Sequence, residues 1–194
     1  MVGRGRYAKG VAKREEILQV ALDVVAEFGY RKASNREIAD RVGLTQPGLM
    51  HYFASREELY IEVLRARDQR DLVEFFEPDQ TFAGFLGIIA HNTTVPGLVR
   101  LYVEFSAEAT IPGHPANAYF VERYAWARSV LTGVIARAQA AGEFGPSVDP
   151  AIAVDLVLAS ADGLQVQWLL DPRVEMVERL SRMWDGIRLA SFRD

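Results

Sequence analysis

The chain has 194 residues, of which 49% are hydrophobic, and a formal net charge of −4. A chain of this length and composition can bury a substantial core, which excludes a disordered protein and fits one domain or a small domain fused to a larger one. It contains no cysteine, so disulfides and thiolate chemistry are excluded, and a reducing cytoplasm is the compartment that we expect.

The sequence carries no signal for a membrane. The basic N-terminus reads MVGRGRYAKGVAKREE and is not followed by the uninterrupted apolar stretch of a signal peptide. The longest nearly apolar run is FAGFLGIIA, from Phe82 to Ala90, which is well below the roughly 18 residues that a membrane span needs. We therefore expect a soluble protein with no membrane partner.

Charge is distributed unevenly along the chain. Residues 1–60 carry a net charge of +2, whereas the remaining residues carry −6. Five basic residues precede the first acidic one, Glu15; they are Arg4, Arg6, Lys9, Lys13 and Arg14. This asymmetry is typical of a nucleic-acid contact at one end, but a solvated basic tail explains it equally well.

Periodicity predicts helices along the whole chain. In the first helix, from Lys13 to Phe28, apolar residues recur at the spacing of one helical face, and Gly29 ends the helix. These apolar residues are Ile17, Ala21, Val24, Val25 and Phe28. We expect this face to be buried.

Capping boxes mark the second and fourth helix starts. Ser34 is followed three residues later by Glu37, and Ser55 is followed in the same way by Glu58. The buried side of the second helix is predicted to be Ile38, Ala39 and Val42. The fourth helix is predicted to run toward Phe76.

A short third helix lies between them, capped by Thr45 with Pro47 in its first turn, where a missing N–H is harmless. Helical spacing turns Leu49 and Phe53 inward. It turns outward Gln46, Pro47, Met50 and His51.

The second and third helices, packed on the first, predict a helix-turn-helix. Its second helix can lie in a DNA major groove with its N-terminal residues at the base edges, and the helix starts can direct free N–H groups at phosphates. Geometry alone favours equally a helix pair that merely turns a bundle.

Five further helices are predicted from apolar periodicity and from Pro and Gly signals, which makes about nine in all. Their predicted ranges are Thr81–Asn92, Pro96–Thr110, Pro115–Ala141, Pro150–Leu170 and Pro172–Phe192. The fold class is therefore all-α.

The stretch ASNREIADRVGLTQPGLMHYFASREEL, with the helix before it, resembles the DNA-binding domain of the TetR (tetracycline-repressor) family of bacterial regulators. The resemblance covers about Lys13 to Leu64, a third of the chain. It implies a three-helix DNA-binding domain with its basic extension in residues 1–60. It also implies a helical ligand-binding and dimerisation domain in residues 61–194.

The outward face of the third helix and the resemblance together give the candidate DNA-binding residues. Gln46 and His51 are expected at base edges, and phosphates are expected at Ser34, Thr45, Tyr52 and Arg56. The full candidate set is Ser34, Asn35, Arg36, Thr45, Gln46, Pro47, Gly48, Met50, His51, Tyr52 and Arg56. Two residues depart from the family pattern: Met50 replaces an aromatic residue, and Arg56 replaces a Lys.

The family dimerises through its last two helices, which pair with those of a second copy in a four-helix bundle. Two stripes fit that arrangement, although each also fits a core within one chain. The stripe on the penultimate helix is Ile152, Leu156, Ala159 and Gly163. The stripe on the last helix is Met176, Leu180, Met183, Trp184 and Ile187.

The resemblance also implies an effector pocket in the middle helices. The candidate lining residues are Phe85, Ile89, Tyr102, Phe105, Tyr124 and Trp168. Five polar residues near them can orient a ligand or face water; they are His91, Asn92, Glu104, Gln165 and Gln167. The aromatic lining predicts an apolar or aromatic effector, and the absence of Lys and Arg between Thr81 and Val99 disfavours a highly anionic one. A single carboxylate on the effector can still be reached by Arg100, Arg123 and Arg128.

Two other classes of function, an enzyme and a protein-binding adaptor, are disfavoured. An all-helical enzyme is disfavoured because the three histidines have no metal-ligand spacing and no Gly-rich phosphate loop follows a strand. A helical adaptor that binds only protein is disfavoured by the basic N-terminus and by the outward Gln46–His51 surface. No catalytic residue, metal ligand or cofactor is predicted.

The sequence therefore predicts a homodimeric, sequence-specific transcriptional regulator, and we expect a repressor. Its partners are double-stranded DNA, a small-molecule effector and a second copy of the chain. The effector would release the protein from a palindromic operator by favouring a different spacing of the recognition helices.

Overall fold

A computed structural model describes residues 3–192, with side chains described from residue 9 onward. Within that range the protein is all-helical, as predicted. The helices are α1 (Gly3–Phe28), α2 (Asn35–Arg41), α3 (Gln46–Met50), α4 (Arg56–Asp71), α5 (Phe82–Asn92), α6 (Pro96–Glu108), α7 (Asn117–Ala140), α8 (Pro150–Leu170) and α9 (Met176–Ala190).

The predicted caps fix the starts of the short helices. The Ser34 hydroxyl accepts a hydrogen bond from the amide of Glu37, and the Thr45 hydroxyl accepts one from the amide of Gly48. The Ser55 hydroxyl accepts from the amide of Glu58 in the same way. These bonds satisfy amides that a helix start leaves without partners, so local sequence determines where α2, α3 and α4 begin.

Three helix ends differ from the prediction by four residues or more. Helix α1 begins at Gly3 rather than Lys13, because an existing helix extends readily through residues that show no apolar periodicity. Helix α9 begins at Met176, because Asp171 accepts hydrogen bonds from Arg173 and holds the preceding residues in a turn. Helix α4 ends at Asp71 and continues as a π-helical turn over Leu72–Phe76.

The chain divides into two compact units. The first unit runs to Arg70 and also includes Val95–Asn117, and the second contains Asp71–Thr94 and the chain from Ala118 onward. Helix α6 therefore belongs to the same unit as the helix-turn-helix. The predicted boundary at residue 60 divides the chain into two continuous segments, whereas each compact unit combines two separate segments. The boundary therefore stays a prediction.

The core of the first unit contains most of the predicted face of α1. Ile17, Ala21, Val24 and Val25 are fully buried. Phe28 is exposed, contrary to the prediction, with its ring centroid 5.5 Å from the Arg41 guanidinium carbon. A cation–π contact at the surface thus replaces the expected burial. Helix α6 contributes the buried residues Leu98, Val99, Leu101, Tyr102 and Phe105.

Gly97 permits α6 to approach α1 closely. A Cβ atom at position 97 would lie 2.0 Å from the carbonyl oxygen of Val25 and 2.8 Å from that of Ala26. Both atoms belong to the backbone of α1, so neither can turn aside as a flexible side chain does. Only a hydrogen atom fits between the two helices at this point.

The core of the second unit combines α5, α7, α8 and α9. Phe82, Leu131, Ile135 and Phe144 lie in one buried cluster with Val154 and Val157 of α8. Trp184 of α9 stacks on Phe82 with ring centroids 3.9 Å apart and planes 5° from parallel. Helix α9 thus covers the start of α5.

Among the described residues, α8 is long and apolar enough to cross a membrane by length and composition. Core helices of soluble proteins share these properties, and one face of α8 is buried in the second unit.

We predict that Gly97→Ala destabilises the protein by about 3 kcal/mol, the upper range for forcing a group into a close-packed core. The free energy of unfolding, measured in urea, tests this. Gly10→Ala is the matched control, because a Cβ at that helical position meets no atom within 4 Å. Equal stability of the two variants would contradict the close contact between α1 and α6.

Candidate functional site

The first turn of α3 is the exposed part of the helix-turn-helix. Gln46, Pro47 and His51 are exposed. Leu49 and Phe53 are buried beneath them. The inward face of α3 therefore agrees with the sequence pattern, whereas on the outward face Met50 is half-buried rather than exposed.

Asn35 and Met50 connect α2 to α3. The side-chain amide of Asn35 donates to the sulfur of Met50 over 3.2 Å, and Met50 is half-buried. This contact fixes the angle between the two helices. Both residues were candidate DNA contacts, and sequence reasoning missed this link between them.

Two basic residues of the N-terminal cluster hold helices together. The Lys13 ammonium group donates to the carbonyl oxygen of Val42 over 2.6 Å and caps the end of α2. Arg14 donates to Glu62 of α4 over 2.6 Å. Lys9 is exposed, while the side chains of Arg4 and Arg6 lie outside the described residues. Two of the five basic residues before Glu15 thus make contacts within the protein.

Arg56 holds the start of α4 against the turn between α1 and α2. Its guanidinium donates to the carbonyl oxygens of Tyr30 and Ala33, over 3.0 Å and 3.2 Å. The Tyr60 hydroxyl donates to the carbonyl of Ala33 over 2.7 Å. Burial raises the pKa of Tyr60, against the opposing effect of Arg56. These contacts give Arg56 a structural role, whereas the sequence predicted only a phosphate contact for it.

Glu104 of α6 is bound to the end of α1. Tyr30 donates its hydroxyl to the Glu104 carboxylate over 2.6 Å, and Arg31 donates to the same oxygen over 2.7 Å. Burial raises the pKa of Glu104, but these two hydrogen bonds, together with the charges of Arg31 and Arg100, leave the pKa below its ordinary value. Burial and the Glu104 carboxylate raise the pKa of Tyr30 to about 12. Glu104 is therefore an ionised link between α6 and the helix-turn-helix.

The six candidate effector-pocket residues are divided between the two units. Tyr102 and Phe105 are buried in the first unit. Phe85, Ile89, Tyr124 and Trp168 belong to the second unit. The structure does not place all six in one compact unit, and the pocket stays a prediction.

The α8 stripe is exposed and longer than predicted. Ile152 and Leu156 are 62% and 52% exposed, Ala159 is exposed and Gly163 is half-buried. The stripe continues through Val166 to Leu170, which is 83% exposed. A continuous apolar face of this kind on a helix surface indicates a contact with another protein surface.

The α9 stripe faces the opposite way. Met176 and Leu180 are 1% and 0% exposed, so they lie in the core of the second unit. Met183, Trp184 and Ile187 are partly buried against that core. Met176 and Leu180 thus cover their own unit, and the contribution of α9 to a dimer surface stays a prediction. Periodicity reveals an apolar face but not what covers it.

Two sequence families match the chain. The pattern described as bacterial regulatory proteins of the tetR family matches residues 17–63. The pattern described as the C-terminal part of BetI-type transcriptional repressors matches residues 85–186, more than half of the chain.

Similar proteins include named regulators. The transcriptional regulator RutR of Escherichia coli K12 is 40% identical over 62 residues, which cover 31% of this chain and only 29% of RutR. The A-factor receptor protein of Streptomyces griseus is 27% identical over 94% of this chain and 64% of its own length. The transcriptional repressor KstR2 of Mycobacterium tuberculosis CDC 1551 is 29% identical over 81% of each chain.

Solved structures share the fold. A TetR transcription regulator from Haloarcula marismortui has a TM-score of 0.76 at 21% identity and covers 93% of this chain and 98% of its own. The regulatory protein TetR from Rhodobacter sphaeroides has a TM-score of 0.69 at 17% identity and covers 89% and 97%.

We predict that Arg56→Ala lowers the free energy of unfolding by about 1–2 kcal/mol, because the Tyr60 hydroxyl loses its donor and the carbonyl oxygens of Tyr30 and Ala33 each lose one of two donors. It should weaken binding to every duplex DNA without changing the slope of affinity against salt. Arg36→Ala is the stability control, since Arg36 is 83% exposed and 3.8 Å from Asp40. A slope reduced by about one, at unchanged stability, would show a phosphate contact instead.

Proposed function

Because this chain belongs to the TetR family of bacterial regulatory proteins, we propose that it is a dimeric, cytoplasmic repressor that binds DNA and responds to a small-molecule effector. The observation that carries the proposal is the exposed first turn of α3 on a helix-turn-helix with capped helices and a buried inner face. The family match favours this function over a helical adaptor or an enzyme.

We propose that α3 enters the major groove. Gln46 can form a bidentate hydrogen bond with an adenine edge, and His51 can contact a second base. The N-terminal amides of α2 and α3 and the side chains of Ser34, Thr45 and Tyr52 would hold phosphates. Since Lys13 and Arg14 make contacts within the protein, uncharged side chains and helix N-termini would make many of the contacts with DNA.

The exposed stripe of α8 supports the proposed dimer. A two-fold interface places the same patch of each copy against the other, so a continuous apolar stripe can serve both sides. Ile152, Leu156 and Leu170 provide large side chains, while Ala159 and Gly163 permit close approach. We propose that α9 supports this face from its own unit and contributes exposed Leu189 at its end.

The proposed response to an effector depends on α6. Glu104 is hydrogen-bonded to the end of α1, and Gly97 packs closely against α1. An effector that shifts α6 must therefore also shift α1 or break those contacts. The recognition helix moves with α1, since Lys13 and Arg14 connect α1 to α2 and α4. DNA and effector would then weaken each other's binding by the same factor.

The proposal of an apolar or aromatic effector is supported by the ion pairs of Arg128 and Arg100, which already have carboxylate partners within the protein. Arg128 donates to Asp155 over 2.7 Å, and Arg100 lies 3.9 Å from Glu104. Each is therefore partly neutralised within the protein. Ligands that bind only the folded state raise the melting temperature, so a thermal-shift comparison of apolar, aromatic and phosphorylated compounds tests the class.

We predict that Gln46→Ala relaxes base preference at one position of each half-site, with a loss of about 1–3 kcal/mol of discrimination. The assay selects duplexes from a random library with the wild-type protein and repeats the selection with the variant. Gln19→Ala on α1 is the control, because Gln19 is exposed but outside the proposed interface. Identical preferences for wild type and Gln46→Ala would contradict the docking of α3.

We predict that Leu156→Glu shifts the protein from dimer to monomer, because a charge at an apolar interface loses its water without gaining a partner. Light scattering at micromolar concentration measures this. Val121→Glu is the control, since Val121 is 62% exposed on α7 and outside the stripe. A wild-type monomer, or a Leu156→Glu variant that remains dimeric, would contradict the proposed interface.

A further inference from the structure

The side-chain oxygen Oε1 of Gln165, in the second unit, is buried and receives no hydrogen bond from the described residues. Gln165 lies on the inner face of α8 with Ala161, Leu164 and Trp168, and it is 5% exposed. Its side-chain oxygen Oε1 is enclosed, and no donor reaches it from the described residues. A buried acceptor without a donor is unfavourable, and an apolar side chain of similar shape would avoid that cost.

Gln165 differs in this respect from the other polar residues near the predicted pocket. Glu104 is bound to the end of α1, and Gln167 is exposed. His91 stacks on an aromatic ring, and Asn92 is buried with further interactions of its own. Gln165 therefore has the one enclosed side-chain acceptor among these five residues that still needs a donor.

The surroundings of Gln165 are apolar and aromatic. Tyr124 donates to Asp162, and Arg128 donates to Asp155, so α7 and α8 run antiparallel side by side. Continued by one turn, this register brings Gln165 near the level of Phe120, at the buried start of α7. Trp168 lies one turn further along α8. A neutral amide in such surroundings can accept a hydrogen bond from an uncharged group.

Resting on the proposed effector response, we propose that Gln165 is the polar anchor of the effector site. The effector has an apolar or aromatic body and carries one uncharged donor, a hydroxyl or an N–H group, which binds Oε1. Because no donor of the described residues reaches Oε1, a donor on the effector can bind it without breaking a hydrogen bond within the protein. A ligand that carries the donor should therefore bind about tenfold to a hundredfold more tightly than the same ligand without it.

The first test needs no ligand. Gln165→Met keeps the length of the side chain and removes the enclosed acceptor, so we expect the melting temperature to rise by about 2–4 °C. Gln167→Met is the matched control, because Gln167 is an exposed neighbour on the same helix, and its melting temperature should not change. A lower melting temperature for Gln165→Met would mean that the amide is held by a structural partner, and would overturn the proposal.

The second test uses pairs of compounds that differ in one donor. The pairs are 1-naphthol with 1-methoxynaphthalene, indole with 1-methylindole, and dodecanol with its methyl ether. Binding is measured by thermal shift and titration with the wild type and both methionine variants. The donor-bearing member should bind wild type and Gln167→Met about tenfold to a hundredfold more tightly than its methylated partner. Gln165→Met should lose that difference.

The outcomes separate this inference from the proposed function. If both members of a pair stabilise the wild type equally and release DNA, the effector response holds and the role of Gln165 is refuted. If Gln165→Met retains the preference for the donor, the role of Gln165 is again refuted. If no compound stabilises the protein, the apolar effector site is refuted together with its anchor.

Discussion

The close contact between α1 and α6 at Gly97 is the constraint on which the proposed regulation depends. The carbonyl oxygen of Val25 occupies the space that a side chain at position 97 would need. Glu104, farther along α6, accepts hydrogen bonds from Tyr30 and Arg31 at the end of α1. These contacts make α6 part of the unit that presents the recognition helix, so α6 cannot be displaced without disturbing that unit.

Three cations of the helix-turn-helix unit hold its helices together. Lys13 caps α2, Arg14 pairs with α4, and Arg56 holds two carbonyl oxygens of the turn before α2. Each cation therefore fixes the position of one helix against another. On the proposed DNA-binding face, Gln46 and His51 are exposed above buried Leu49. Such a face favours contacts with base edges, which specify sequence, over contacts that bind any duplex.

Local features of the sequence predict the fold well and its long-range contacts poorly. Ser34, Thr45 and Ser55 fix helix starts because a cap involves residues only three positions apart. The stripes on α8 and α9 have the same periodicity, yet one is exposed and the other is buried, because what covers a face depends on the rest of the chain. The grouping of α6 with α1 rests on Gly97, and a single glycine in a sequence does not reveal which backbone it approaches.

Amide hydrogen exchange, with and without a duplex selected by the protein, tests most directly the claim that α6 belongs to the DNA-binding unit. Exchange reports the free energy of local opening, which falls or rises together for elements that open as one. Our account predicts that DNA slows exchange in α3 and also in α1 and α6, between Val95 and Glu108, beyond any contact with the duplex. Slower exchange in α3 with no change in α6 would contradict it.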